Sequence, residues 1–401
     1  MSTSARRITD LVTTMAPELM KLRRHIHAHP ELSRVEYDTT ALVAAELEKI
    51  GMQPRILPNG VGLTCDIGPS EVETGVPLVA LRADLDALPI PDETTSSFAS
   101  TVPGVAHACG HDVHTTAVLG AGKVLAKLAE VDLLQTGVRL IFQPAEELQP
   151  GGAPDVIAAG GLDGVGEVYA LHCEPKLDVG TVGLRVGPIT SASDKVTISL
   201  RGDGGHTSRP HLTTDLVYAM GAIITEVPGI LGRSIDPRSG VNLTWGIANA
   251  GSAPNVIPMT GTLEGTLRCL DIEAWHEAGD VVDRAVRTVC APLGVRAEVR
   301  HNRGVPPVVN DEQAVHTFKR AVHQMLGESA EISVEQSLGG EDFAWYLTKA
   351  RGAMARLGTR TPGGRIYDLH QGDFDPDERA IAIGSRFLAM TALLASEQYL
   401  T

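Results

Sequence analysis

The stretch Pro77-Leu78-Val79-Ala80-Leu81-Arg82-Ala83-Asp84-Leu85-Asp86 passes from apolar to acidic residues. Its first five residues predict a buried strand, and Asp84 and Asp86 follow at alternate positions, so both can point into one site. Residues 113–129 predict a helix and residues 138–142 a second apolar strand. Strands that alternate with helices predict an α/β fold, with a mainly parallel sheet covered by helices on both faces.

The residues that follow these strands are metal-ligand types. Glu146 and Glu147 follow the second strand, His172 follows a third strand at 168–171, and His370 ends a short apolar stretch near the C-terminus. The carboxyl ends of parallel strands lie at one edge of a sheet, where open α/β sheets bind ligands. We therefore expect residues far apart in sequence to form one site.

A denser group of donors precedes the predicted helix. Cys109 and His111 stand within eight residues of three further donors, His107, Asp112 and His114. The dipole at the N-terminus of the helix favours the thiolate form of Cys109, which binds metal. A nucleophilic Cys109 is the competing interpretation, but a thiol enzyme has no use for two adjacent carboxylates. One carboxylate of such a pair can bind metal while the other transfers protons, so a hydrolytic metal site is favoured.

Other histidines are expected to support the fold. His25, His27 and His29 lie on the last turn of the N-terminal helix, where the helix dipole favours positive charge. His107 and His114 are expected to pack behind the ligands.

Residues 189–307 have a different pattern, with the order strand, helix, strand, strand, helix, strand that is typical of a ferredoxin-like fold. We expect an inserted lid and dimerisation domain there, and a catalytic domain formed by residues 1–188 and 308–401. A last helix is predicted from Pro376 to Ser396, with Asp375 as its N-cap and Glu378 completing a capping box.

The composition limits the classes of function. A chain of 401 residues suggests roughly two domains, and a net charge of −15 argues against nucleic acid or an anionic membrane as partner. The N-terminus has no apolar segment typical of a signal peptide, and no run approaches the roughly 20 apolar residues of a spanning helix. Five irregularly placed cysteines predict reduced thiols. We expect a cytoplasmic protein.

Several motifs together resemble the aminoacylase and carboxypeptidase G superfamily of di-metal amidohydrolases. In order they are Arg82-Ala83-Asp84-Leu85-Asp86-Ala87-Leu88-Pro89, His107-Ala108-Cys109-Gly110-His111-Asp112, Phe142-Gln143-Pro144-Ala145-Glu146-Glu147, Gly204-Gly205-His206, Asn255-Val256-Ile257-Pro258 and Gly340-Glu341-Asp342-Phe343. The match spans nearly the whole chain. The Cys-Gly-His form is similar to the branch of N-acyl-amino-acid amidohydrolases that includes hippurate hydrolases and plant auxin-conjugate hydrolases.

The resemblance implies a di-zinc exopeptidase-like catalytic domain and assigns roles within it. Two divalent ions (Zn, Mn, Co or Ni) would be bound by five ligands, Cys109, His111, Glu147, His172 and His370. Glu146 would act as general base and acid, and Asp86 would orient the site.

For the inserted domain, the resemblance implies that His206 stabilises the oxyanion, from the other subunit in dimeric relatives. Arg268 and Asn255 would meet the carboxylate and carbonyl of the substrate. The edge strand of this domain would form the interface of a homodimer or higher homo-oligomer.

The implied reaction is hydrolysis of the amide bond of an N-acyl amino acid or similar carboxylate-bearing conjugate. A dipeptidase or aminopeptidase of the same fold is an alternative. A non-catalytic binding protein is a weaker one, because the base and all five ligand residues are present. Two departures leave the substrate open, namely the inserted Leu148-Gln149-Pro150 and the Gln371-Gly372 that replaces a usual Ser-Pro pair.

Overall fold

The computed structural model describes residues 2–399, which divide into two compact units. The first contains the chain up to Gly187, Asn310–Glu335 and the chain from Trp345 onward. The second contains Pro188–Val309 and Gln336–Ala344. Residues 336–344, which the sequence analysis placed in the catalytic domain, group with the second unit.

The first unit alternates helices and strands along most of its length. Its longer helices are α1 (Thr3–Ala28), α2 (Tyr37–Glu48), α4 (His111–Ala129), α8 (Glu312–Met325) and α10 (Arg379–Gln398); short ones are α3 (Glu71–Thr74), α5 (Ala153–Ala158) and α9 (Ala344–Leu347), the last beginning at the unit boundary. Its strands are β1 (Arg55–Ile56), β2 (Leu63–Ile67), β3 (Leu78–Asp84), β4 (Val138–Gln143), β5 (Val165–Asp178), β6 (Val182–Leu184), β15 (Glu331–Ser333) and β16 (Arg351–Arg360).

These eight strands form one sheet in the order β1-β2-β4-β3-β5-β16-β6-β15. The central pairings β4-β3, β3-β5 and β5-β16 are parallel, as predicted, while β1-β2, β2-β4 and β16-β6 are antiparallel. Every residue of β3 and β4 is buried, because both faces of the sheet are covered.

Strand β16 was missed by the sequence analysis, although it lies beside β5 over most of its length. Its sequence, RGAMARLGTR, has three arginines, two glycines and no aromatic residue. With Thr359 as its one β-branched residue, it has few of the β-branched and aromatic residues by which strands are recognised. Only its pairing with β5 and β6 makes it a strand.

The second unit is built from β8 (Ser193–Arg201), α6 (Leu216–Ser234), β10 (Asn242–Ala250), β12 (Thr260–Arg268), α7 (Ile272–Cys290) and β13 (Arg296–Val305). The four strands form an antiparallel sheet in the order β10-β12-β8-β13. The predicted ferredoxin-like element order is confirmed. Two-residue strands β9 (Gly205–His206) and β11 (Val256–Ile257) pair separately, and β7 (Gly187–Pro188) and β14 (Val309–Asn310) stand at the unit boundaries.

The predicted start of the last helix is wrong. Helix α10 begins at Arg379, its N-cap residue is Glu378, and no side chain caps it. The Glu378 carboxylate instead accepts three hydrogen bonds from the Arg24 guanidinium, at 2.6–3.2 Å. Asp377 accepts the Arg379 N–H at 3.0 Å. A tertiary ion pair has thus taken the side chain that the local pattern assigned to the cap.

The expectation about apolar runs also needs correction. Two helices, Leu216–Ser234 and Arg379–Gln398, are long and apolar enough to cross a membrane by length and composition alone. Most of the Arg379–Gln398 window is buried inside the first unit, as in the core helix of many globular proteins, whereas Leu216–Ser234 is less buried. All five cysteines are buried and free.

Candidate active site

The carboxyl ends of β3, β4 and β5 bring the predicted donors to one edge of the sheet. In the parallel register, Asp84 lies beside Gln143, which precedes the Glu146-Glu147 pair by three residues. His172 lies near the end of the buried part of β5. The side chains that the sequence predicted at the ends of these strands therefore lie close together, as expected for an open parallel sheet.

Cys109 and His111 reach this edge because α4 begins at His111, directly after Gly110. Gly110 has φ 87°, and a Cβ atom there would lie 2.7 Å from the Cys173 sulfur. Only glycine fits this left-handed, crowded position without strain. The glycine thus determines how the two donors enter the site.

The five predicted ligand residues and Glu146 come together in overlapping groups. Within each group the potential ligand atoms lie within 4.8 Å of one another. The three groups are Cys109, His111 and His172; Cys109, Glu147 and His370; and His111, Glu146 and Glu147. Because the groups share members, they form one continuous cluster.

Individual distances support a site built for a cation. Cys109 Sγ lies 3.5 Å from His172 Nε2, and His370 Nε2 lies 3.2 Å from Glu147 Oε1. Among the described residues, the buried His111 Nε2 atom has no hydrogen-bond partner. Buried polar atoms without partners are costly unless something else binds them. A metal ion fits that requirement.

The histidines are oriented from behind. His111 Nδ1 donates to the Asp86 backbone carbonyl at 2.8 Å, and His172 Nδ1 donates to the Cys173 carbonyl at 2.8 Å. In each ring this leaves Nε2 facing the cluster, the arrangement in which a second hydrogen bond selects the tautomer that binds metal.

Asp86 connects three parts of the site. Its Oδ2 accepts from Ser33 Oγ at 2.6 Å and from the Glu147 N–H at 3.0 Å. Its Oδ1 lies 3.2 Å from His111 Nδ1. The Asp86 carboxylate therefore contacts two of the predicted ligand residues, namely the backbone of Glu147 and the imidazole ring of His111.

Two residues of the site have left-handed backbone conformations although they are not glycine. Ala145, which precedes Glu146, has φ 55°, and His370 has φ 60°. Such conformations cost on the order of 1–3 kcal/mol and persist only where the surroundings impose them. At His370 the N–H donates to the Ala108 carbonyl at 2.8 Å, which ties this ligand to the loop of Cys109.

Burial and charge shift the acidities within the cluster. Burial, assisted by the Glu147 carboxylate, raises the pKa of the Cys109 thiol well above its usual range. Burial thus opposes the effect of the helix N-terminus on Cys109, and a bound cation would favour the thiolate. Burial lowers the pKa of His172 well below its usual value, with Arg356 acting in the same direction. The hydrogen bond with Glu147 raises the pKa of His370.

The remaining histidines take other partners. His114 donates through Nδ1 to Asp84 at 2.7 Å and accepts the Cys173 N–H through Nε2 at 2.8 Å, so both nitrogens are used. His107 is buried without a hydrogen bond in the described part of the chain, and burial lowers its pKa to about 4. His27 contacts Asp112 at 2.8 Å, and His29 donates to the His25 carbonyl.

The three predicted substrate residues lie in the second unit. His206 on β9 pairs with Val256, the residue after Asn255, and both His206 and Asn255 are exposed. The His206 Nδ1 atom accepts the Ser208 N–H at 3.1 Å, which leaves Nε2 outward. Arg268 ends β12 and donates through Nη1 to the Leu338 carbonyl. The roles of these three residues, and those of the residues in the metal cluster, stay predictions.

Sequence reasoning missed two residues that touch this site. They are Ser33, which contacts Asp86, and Glu36, whose carboxylate accepts the Ala145 N–H at 2.7 Å. Glu36 is more than 100 residues from its partner. No periodicity or spacing links residues so distant, so only their neighbourhood in space identifies them.

The comparisons with known proteins agree with this geometry. A family model described as Peptidase family M20/M25/M40 matches residues 80–394. The N-acetyl-L-cysteine deacetylase of Bacillus subtilis (strain 168) is 38% identical over 381 residues, which are 95% of this chain and 89% of that protein. A Rhodococcus jostii (strain RHA1) protein named "Putative glutamate--cysteine ligase 2-3" is 49% identical over 377 residues, 94% of this chain. The matched region spans only 46% of that longer protein.

Among solved structures, the Bacillus subtilis YXEP protein, described as a dinuclear metal binding peptidase, matches with a TM-score of 0.83 and 32% identity. The match covers 96% of this chain and 99% of that one. Likeness therefore extends over both units and includes the sequence around the metal cluster.

Proposed function

Because the chain belongs to peptidase family M20/M25/M40 and is a metal-dependent amidohydrolase of that family, we propose that it hydrolyses the amide bond of N-acyl amino acids. The observation that carries this proposal is the cluster in which Cys109, His111 and Glu147 present ligand atoms beside a second carboxylate, Glu146. The similar Bacillus subtilis protein named as an N-acetyl-L-cysteine deacetylase supports this substrate class.

The donors fit two divalent ions. Cys109, His111, Glu147, His172 and His370 would hold them, with Glu147 belonging to two of the overlapping groups. Thiolate, imidazole and carboxylate together suit zinc, cobalt, nickel or manganese. When bound, the ions would acidify a water molecule and polarise the substrate carbonyl.

Glu146 would move the proton. The carboxylate takes a proton from the attacking water as the C–O bond forms, then transfers it to the amide nitrogen as the C–N bond breaks. The products are the carboxylate of the acyl group and the free amino acid. One residue can serve as base and then acid, because it returns to its starting state with each turnover.

The second unit would recognise the substrate. His206 would donate to the oxyanion through its outward Nε2, and Arg268 would pair with the free carboxylate of the amino acid. Asn255, beside His206, would contact the carbonyl. Arg268 has five N–H donors, so its contact with Leu338 leaves others for the substrate.

We extend the proposal to a cytoplasmic homodimer, or a higher homo-oligomer, that pairs through the second unit. Strand β10 is at the edge of its antiparallel sheet, and most of its residues are exposed. An edge strand offers backbone groups to a partner strand. In such an assembly His206 would act on the substrate of the other subunit.

A dipeptidase is the second candidate, because the similar YXEP protein is described as a peptidase. A screen of N-acyl amino acids against dipeptides decides between the two, with Zn²⁺, Mn²⁺, Co²⁺ or Ni²⁺ added to metal-free protein. Preferred turnover of N-acyl amino acids supports the proposal. Turnover of dipeptides with none of N-acyl amino acids would refute it.

A further inference from the structure

Glu36 is a buried carboxylic acid, and burial of its charged form is energetically costly. It lies directly before α2 and is fully shielded from solvent. Its Oε1 accepts the Ala145 N–H at 2.7 Å, and Oε2 has no hydrogen-bond partner among the described residues. Burial raises the pKa of this carboxyl to about 7, and the Asp86 carboxylate adds to the rise. Carboxyl groups are rarely buried without a structural or functional purpose.

Ala145, whose N–H is bound by Glu36, has an unfavourable backbone conformation next to the two carboxylates of the site. Ala145 is buried, has φ 55° and directly precedes Glu146 and Glu147. Without an external hydrogen bond, an alanine there would relax towards the right-handed region. Any such change would rotate the peptide that leads into both carboxylates. The conformation of one backbone turn therefore sets the direction of the proposed base and of a proposed ligand.

Glu36 itself is held firmly. Its backbone carbonyl accepts both the N–H of Thr40, at 3.0 Å, and the Thr40 Oγ1 hydroxyl, at 2.6 Å. Thr40 Oγ1 in turn accepts the Gly62 N–H at 2.8 Å. Gly62 lies against the same turn, since a Cβ atom there would be 2.5 Å from Pro144 Cδ. Glu36 and Gly62 therefore both contact this turn.

The same segment also reaches Asp86. Ser33 Oγ donates to Asp86 Oδ2, which accepts the Glu147 N–H as well. Residues 33 and 36 therefore contact the Glu146-Glu147 segment by two routes, one through the Ala145 N–H and one through Asp86. Both routes begin in a segment outside the metal cluster.

We propose that Glu36 is a positioning residue, which holds the left-handed Ala145 turn so that Glu146 and Glu147 face the substrate and the metal ions. The proposal rests on the function proposed above for Glu146. Glu36 contributes a hydrogen-bond acceptor on a side chain long enough to reach the Ala145 N–H. An amide oxygen at the same place would serve, whereas a shorter or apolar side chain would not.

Four variants test this role. Glu36→Gln keeps the acceptor, Glu36→Asp shortens it by one methylene, and Glu36→Ala removes it. Glu46→Ala is the matched control, because Glu46 is a buried carboxylate within α2, the helix that Glu36 precedes, and it instead accepts a hydrogen bond from Lys123 at 2.6 Å. Thermal unfolding of each variant reports the general loss of stability.

The first readout is independent of activity. Amide hydrogen exchange of the metal-free proteins should be about fivefold faster or more over residues 145–147 in Glu36→Ala and Glu36→Asp, because one hydrogen bond is lost. Glu36→Gln should exchange like the wild type there. If Glu46→Ala, at equal loss of stability, accelerates the same segment equally, the role of Glu36 is only structural and the proposal fails.

The second readout is catalysis with metal restored. Displacement of the carboxylates should lower kcat by about ten- to hundredfold in Glu36→Ala and Glu36→Asp, while KM changes little. Glu36→Gln should stay within about threefold of the wild type. Equal loss in Glu36→Gln, or a normal kcat in folded Glu36→Asp, would overturn the proposal. If the wild type hydrolyses no N-acyl amino acid, the proposed function fails, but hydrogen exchange still decides the role of Glu36.

Discussion

In the first unit the candidate ligands Cys109 and His111 are buried, and His111 is oriented by the hydrogen bond that it donates to the Asp86 carbonyl, whereas in the second unit His206 and Asn255 are exposed. Buried ligand atoms that lack a hydrogen-bond partner suit an ion that stays bound. Exposed groups are prepared for a molecule that arrives and leaves. This difference is consistent with the proposed roles, in which the first unit supplies the chemistry and the second selects the substrate.

The largest expected effect tests the chemical role of the first unit. Glu146→Gln should lower kcat by about 10³-fold, because the amide cannot take the proton of the water. Metal content, measured by elemental analysis, should be unchanged. Glu147→Gln is the matched control and should lose metal instead. A near-normal kcat in metal-loaded Glu146→Gln protein would mean that the proton transfer belongs to another residue.

A smaller loss should follow from His206→Ala in the second unit. Removal of one donor to an oxyanion costs about 10²-fold in kcat in well-studied enzymes, and metal content should be unaffected because the residue lies outside the cluster. Steady-state kinetics and metal analysis measure both quantities. A loss of metal in this variant would contradict the division of roles between the two units.

The dimer proposal gives His206 a further test. Inactive His206→Ala protein, mixed with inactive Glu146→Gln protein, should regain part of the activity if subunits exchange and His206 acts across the interface. Labelled subunits report the exchange. Demonstrated exchange without recovered activity would place the action of His206 within its own subunit or remove it from catalysis.

Substrate selection should respond to Arg268→Ala with a rise in KM of about tenfold or more, because a charge-assisted hydrogen bond is lost. The rise should be confined to substrates with a free carboxylate, and their carboxamides should change little. Arg201→Ala is the control, since Arg201 is an exposed arginine at the end of a neighbouring strand of the same sheet. An equal rise for acids and amides would argue against carboxylate recognition.

The smallest effect concerns pH and the buried thiol of the first unit. At pH values below the raised pKa of Cys109, metal binding must release the thiol proton. The contribution of this group should therefore raise the affinity for metal by about tenfold for each unit by which the pH increases. In Cys109→Ala this part of the pH dependence should disappear. Cys173→Ala is the control, because burial also raises the pKa of Cys173, yet that thiol belongs to none of the ligand groups found among the described residues. Competition with a chelator at several pH values measures the affinities.

Alkylation can separate the ligand role of Cys109 from that of a nucleophile. Bound metal should protect the thiol from an alkylating reagent, and no covalent intermediate should accumulate during turnover. Mass spectrometry of the working enzyme checks this. An adduct of substrate mass on Cys109 would favour the thiol-hydrolase interpretation.

Local patterns in the sequence were enough to predict much of the catalytic architecture. Strands β3 and β4 are each apolar for most of their length, and both are followed by carboxylates, so the sheet edge could be recognised. The same reasoning could not find β16, whose residues resemble those of a loop. It also placed the start of α10 three residues too early, because the partner of Glu378 is Arg24, which lies more than 350 residues away.

What the sequence by itself determined is the set of chemical types and their placement at the ends of strands and at the start of α4, since these follow from periodicity and from the neighbouring residues. Only the tertiary structure decided which of these groups meet, and how they are aimed. The left-handed turn at Ala145 and the raised pKa of Cys109 both depend on groups distant in the chain. In the first case the group is Glu36, and in the second the surrounding residues bury the thiol and the Glu147 carboxylate adds to the rise. Hydrogen bonding and desolvation act through space, so residue order alone does not reveal them.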